Sequence, residues 1–229
     1  MATEPMAQHE RLSYVWEFPV RLSHWVHVAA MLTLAVSGYY IGLPFLAPPG
    51  STSAYVMASM RLAHAVAATF LGLSFVLRVY WAIVGNTYAN FRALLPLTRW
   101  RWQDFGRQIQ YYLFLSNKRP AYAGHNPVAG LTYVALYVLV FLQGLTGLAL
   151  YAEYYPRGFW WTFFGWAFRW IARNNALRLI HHSLMWVFLI FFVVHLYLAV
   201  LNDLTEKSGI VSSIVTGHKA LPGEERERK

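Results

Sequence analysis

The sequence contains no cysteine among its 229 residues. That excludes structural disulfides, thiolate-held zinc, iron–sulfur clusters carried by this chain and thiol nucleophiles. Charge is scarce as well: Asp, Glu, Lys and Arg together make up 13% of the residues, about half the usual share. What remains is apolar, with 57% hydrophobic and 17% aromatic residues, ten Trp among them. A disordered chain, a disulfide scaffold and an ordinary soluble enzyme are all poor fits to that composition. It reads as a membrane protein. The few charges are mostly positive, for a formal net charge of +9. In a chain this apolar the positive-inside rule accounts for the excess, and no nucleic-acid partner is expected.

Four segments are long and apolar enough to cross a hydrocarbon core about 30 Å thick. They run approximately over 24–43, 59–84, 128–151 and 179–201, with a tail over 202–229. No cleavable leader precedes the first, so it is expected to act as the insertion signal. A fifth apolar stretch, Gly158–Ala172, is too short to span. Its Trp and Phe density between arginines predicts an interfacial helix in the second outer loop.

Loop charges orient the chain. Arg11 and Arg21 precede span one. Arg92, Arg99, Arg101, Arg107, Lys118 and Arg119 join spans two and three, and Lys207, Lys219, Arg226, Arg228 and Lys229 follow span four. The opposite side has no cation in its first loop, and Arg157, Arg169 and Arg173 in its second, where Arg178 directly precedes span four. Both termini are therefore expected in the cytoplasm. The three far-side arginines fit a protein partner docked there.

Ionisable residues within spans are costly and are functional candidates by default. Of nine histidines, His24 and His27 lie at the inner end of span one and His64 near the outer end of span two. His181 and His182 open span four from outside, and His195 lies toward its inner end. His181 and His195 are 14 residues apart. That is about 21 Å of helical rise and roughly 320° of rotation, so both share one face at opposite leaflets. By depth, His64 meets His181 near the outer surface and His24 meets His195 near the inner one. Two such pairs across a helix bundle form axial ligand sets for two b-type haems. Without Cys-x-x-Cys-His the haem is not covalently attached. Register alone leaves His27 and His182 open as neighbours of the candidates.

Small residues follow the same interval. Gly38 lies 14 residues after His24, and Gly130 and Gly144 in span three are also 14 apart. Glycine lets a porphyrin approach a backbone closely, although small residues also serve ordinary helix packing in membranes. Arg78, 14 beyond His64, is a candidate partner for haem propionates or a snorkelling side chain. His125 and Asn126, in Gly124-His125-Asn126-Pro127 at the inner mouth, are candidate contacts for a quinone headgroup. Asn before Pro at a helix start is also a common cap.

Several segments together resemble one family. Tyr14 through Trp25 (YVWEFPVRLSHW), Gly38 through Gly42 (GYYIG), Arg78 through Asn86 (RVYWAIVGN), Gly124 through Pro127 and Met185-Trp186 through Ala199 are similar to the b-type cytochrome subunit of membrane-bound nickel–iron hydrogenases. That subunit is related to the formate dehydrogenase gamma family. The resemblance covers about Tyr14 to Gly217. It implies haem ligands at His24, His64, His181 and His195. The Arg-x-x-His-Trp pattern favours His24 over His27, and the Met-Trp pair favours His181 over His182. It also implies an iron–sulfur small subunit and a nickel–iron large subunit on the outer face, with no hydrogen-activating site in this chain. The family's quinone contacts match Asn126 through Gly130 only loosely.

The expected fold is an all-α integral membrane protein: a four-transmembrane-helix bundle, one domain, binding two bis-His b haems in the bacterial inner membrane. The expected function is electron transfer from the hydrogenase small subunit across the membrane to quinone. A cytochrome subunit of a formate dehydrogenase or thiosulfate reductase is the near alternative. A His-based transporter is the distant one, and it would want carboxylates in the spans, which have none.

Overall fold

A computed structural model describes residues 11–45, 51–113, 115–116, 122, 124–170, 174–206 and 209–221. In chain order the elements are β1 (Arg11–Tyr14), α1 (Phe18–Gly42), α2 (Ser51–Val84), α3 (Phe91–Leu94) and α4 (Arg99–Tyr112). Then come α5 (Pro127–Ala152), α6 (Phe159–Phe164), α7 (Ala167–Trp170), α8 (Asn174–Glu206), α9 (Ile210–Thr216) and β2 (His218–Leu221). The spans of α1, α2, α5 and α8 are long and apolar enough to cross a membrane. They outrun the expected spans at the start of α1, α2 and α8, because a helix carries on past the hydrocarbon until a cap or breaker stops it. Pro19 sits in the first turn of α1, where its missing N–H is no loss. The aromatic stretch expected as a single interfacial helix over Gly158–Ala172 is, within the described residues, two separate turns, α6 and α7, split at Gly165 and Trp166. Gly165 ends α6 with its amide bonded to the Trp161 carbonyl at 2.8 Å, and a Cβ there would lie 2.6 Å from that oxygen. His9, Arg119, Arg173, Lys207 and Arg226 lie outside the described residues.

The chain forms two compact units. The first contains residues through His24, Arg78–Val134 and Leu196 onward. In it β1 pairs antiparallel with β2, from Arg11 opposite Leu221 to Tyr14 opposite His218. This brings chain before span one beside chain after span four, an arrangement that an even number of crossings allows. Val15 and Trp16 donate their amides to the Gly217 carbonyl at 2.8 and 3.1 Å. Gly217 ends α9 at φ 88°, a left-handed conformation that favours glycine. Glu17 accepts hydrogen bonds from the Trp81 indole at 2.7 Å and the Asn86 amide at 2.8 Å. Two of the segments that carry the family resemblance are thus tied together.

The second unit contains Trp25–Leu77 and Ala135–His195. Its buried apolar centre is Ala149, Ala167 and Leu177, with Leu150, Phe164 and Phe168 packed around it. Glu153 at the end of α5 accepts from Asn174 and pairs with Arg178 of α8 at 3.5 Å. The ends of these helices are therefore joined by charge as well as packing.

Candidate functional site

The second unit brings His64 of α2 and His181 of α8 face to face, with ring centroids 6.4 Å apart and planes inclined by 58°. Two imidazoles bound on opposite sides of one iron through Nε2, each at about 2 Å, place their centroids roughly 6 Å apart. The spacing fits that donor set. Each ring is also held by a hydroxyl on its other nitrogen. Ser37 Oγ lies 3.0 Å from His64 Nδ1, and Thr146 Oγ1 lies 2.9 Å from His181 Nδ1. Both hydroxyls also bond backbone carbonyls one turn back in their own helices. Fixing Nδ1 sets ring orientation and leaves Nε2 as the ligating atom, as in protein metal sites generally. Gln143 Nε2 lies 3.3 Å from the same His181 Nε2, so this amide would have to turn away for that nitrogen to bind iron.

Glycines bound the pair. A Cβ on Gly38 would lie 3.1 Å from His64 Cε1, and one on Gly147 3.1 Å from His181 Cε1. Gly38 was expected from the sequence. On α5 the close approach is made by Gly147, three residues beyond Gly144, which has no atom within 4 Å of where its Cβ would stand. Gly130 does pack tightly, but its partner is the Leu94 backbone carbonyl of the first unit. Ser37, Thr146 and Gly147 were not singled out beforehand. Their signal is the pairing of a hydroxyl residue with glycine, Ser37-Gly38 and Thr146-Gly147, on the helices facing the ligand candidates.

His27 and His182 are placed differently. His27 Nδ1 lies 2.9 Å from Ser74 Oγ. His182 accounts for Gly42, whose Cβ would overlap the His182 ring, and its Nδ1 bonds the Arg178 carbonyl at 3.0 Å. His195 is half-buried in α8 and stacks with Phe191 at 5.4 Å. His24 is half-buried in α1, at the end of the first unit's share of that helix.

The remaining candidates lie within the first unit. Arg78 is buried at 7% exposure and donates to the Ala89 carbonyl at 3.2 Å. Asn126 caps α5: its Oδ1 accepts from the Ala129 amide at 2.8 Å, and its Nδ2 donates to the Tyr112 hydroxyl at 3.2 Å. The capping alternative accounts for both ends of that amide. His125 is held between Trp16 and Tyr133, at centroid distances of 4.7 and 4.8 Å. Burial, then the charges of Arg78, Arg101 and Lys219, push its pKa down to about 3, while a bond to the Tyr88 backbone opposes them. The ring is therefore neutral at physiological pH. Its Nδ1 is buried without a hydrogen-bond partner.

Residues 15–217 match the family described as prokaryotic cytochrome b561. The chain is 37% identical over 216 residues to a protein of Rhizobium leguminosarum bv. viciae named "Probable Ni/Fe-hydrogenase B-type cytochrome subunit", covering 93% of this chain and 90% of that one. It is 38% identical over 210 residues to the Azotobacter vinelandii protein of the same name, covering 89% and 87%. With the Escherichia coli K12 "Probable Ni/Fe-hydrogenase 1 B-type cytochrome subunit" it shares 32% over 213 residues, 90% of each chain.

Proposed function

Because the chain belongs to the prokaryotic cytochrome b561 family, we propose that it anchors a nickel–iron hydrogenase in the bacterial inner membrane and passes the enzyme's electrons to quinone. The observation that carries this reading is the facing pair His64 and His181, each with its Nδ1 taken by a hydroxyl. When bound, b-type haem supplies reversible one-electron transfer. His64 and His181 would hold the outer group, with Ser37 and Thr146 fixing the rings and Gly38 and Gly147 keeping backbone close to them. The sequence interval alone supports a second group held by His24 and His195, with Arg78 as the cation for its propionates.

The electron donor would be the hydrogenase small subunit with its iron–sulfur clusters, carrying the nickel–iron large subunit on the outer face. The cationic loops support cytoplasmic termini. That leaves the inner end for the electron acceptor, where His125 offers a neutral ring to a quinone headgroup. Asn126 would help indirectly, by capping α5 and holding His125 in place.

The test is the purified chain's reduced-minus-oxidised spectrum and its haem content per polypeptide. We expect two low-spin b haems, falling to one in His64→Ala or His181→Ala. Unchanged haem content in the His181 variant would refute the pairing.

A further inference from the structure

The helix α4 is amphipathic in an unusual way, because the stripe it turns inward is polar. Arg101, Asp104, Gln108 and Tyr112 recur at helical spacing along one face. That face lies along the segment leading into α5. Tyr112 receives a hydrogen bond from Asn126 at 3.2 Å, and the Arg101 charge acts on both Tyr122 and His125. Gln108 stands between these two contacts, seven residues after Arg101 and four before Tyr112. It is fully buried, and neither its Nε2 nor its Oε1 has a hydrogen-bond partner. Arg101 Nε and His125 Nδ1 are buried and unpartnered as well.

Leaving a buried polar atom unbonded costs about 1–3 kcal/mol. Four such atoms lie on α4 and on the segment just before α5, and a polar ligand would satisfy them. The donor and acceptor pattern narrows its chemistry. Nδ1 of His125 is buried and unpartnered, and in the neutral tautomer protonated at Nε2 it presents a lone pair. Gln108 presents one donor and one acceptor, and Arg101 adds a charged N–H. A ring bearing two oxygens, hydroxyl or carbonyl according to redox state, meets all of these. A simple anion meets only the donors.

Resting on the quinone reading above, we propose that Gln108 of α4 is a second polar contact for the quinone headgroup, in addition to His125. Gln108 Oε1 and His125 Nδ1 accept from the hydroxyls of the reduced ring. Gln108 Nε2 and Arg101 donate to the oxygens of the oxidised one.

The experiment uses the full hydrogenase–cytochrome complex carrying Gln108→Leu, with Gln108→Met as a second apolar variant of similar volume. Hydrogen-dependent reduction of a short-chain benzoquinone is measured against reduction of an artificial dye. Binding of a quinone-analogue inhibitor is titrated directly, and the visible spectrum reports haem. We expect the KM for benzoquinone and the Kd of the inhibitor to rise about tenfold, the loss of one good hydrogen bond, with the haem spectrum intact. Unchanged KM and Kd together with a higher melting temperature would show that Gln108 is merely an unsatisfied core residue, and overturn the proposal. Haem loss in both variants, or a shifted haem potential with unchanged KM, would assign the amide to folding or to the cofactor, and equally overturn it. If the unmutated complex reduces the dye but no quinone, the functional reading itself fails.

Discussion

The two units differ in the buried polar atoms at their candidate sites, although the second also buries Gln143 Oε1 and His182 Nε2 without a partner. In the second, the nitrogens of His64, His181 and His27 that face neighbouring helices are met by Ser37, Thr146 and Ser74 at 2.9–3.0 Å. In the first, His125 Nδ1, Arg101 Nε and both amide atoms of Gln108 are buried with no partner. The first pattern suits a resident group, whose ligands must keep one orientation between fillings. The second suits a visitor, since groups already satisfied inside the protein would gain nothing from a guest that has to come and go.

That contrast is breakable by mutation. The largest effect belongs to the resident side: His64→Ala or His181→Ala should remove one haem entirely, read as iron and protohaem per polypeptide. Retention of both groups would erase the distinction. Next, Ser37→Ala and Thr146→Val should keep the haem but weaken its retention roughly tenfold in a transfer assay to apomyoglobin, the usual scale for losing a partner of a ligating His. Equal retention would make the hydroxyls incidental.

The visitor side is sharpened by pH. His125 has a folded pKa of about 3 against an ordinary 6.5, so between those values the unfolded chain binds a proton that the folded one refuses. Stability therefore falls as pH drops below about 6.5, and His125→Leu should flatten that part of the melting-temperature profile. An unchanged slope would mean that the ring is not buried neutral. The smallest effect is expected at Gly144→Ala, with nothing within 4 Å of the new methyl. Its stability and haem content should match the parent within about 0.5 kcal/mol, whereas Gly147→Ala presses on His181 and should lower haem retention.

The four spans and the His64–His181 pair were readable in advance because both follow from one-dimensional rules, apolar length and depth along a helix. The same depth rule failed to find the α5 glycine of close approach. A 14-residue interval returns to one face without saying which face it is, and Gly130 turned out to face the Leu94 backbone. The helix α4 went unforeseen because its inward residues, Arg101, Asp104 and Gln108, are those that hydrophobic patterning assigns to solvent. The aromatic segment was legible as apolar but not as two turns, since its apolar residues run unbroken through Gly165 and Trp166, where α6 and α7 part. No local signal announces the β1–β2 pairing, whose partners are over two hundred residues apart.

That last pairing also orders events in time. Tyr14 cannot find His218 until all the intervening chain has been synthesised and every crossing threaded, and closing so long a loop comes late in folding. The little sheet thus behaves as a clasp on a finished product. A chain halted after its third span would carry Arg11–Tyr14 without the partner strand that covers its edge in the finished protein. Completion of the membrane protein is thereby made visible from the aqueous side.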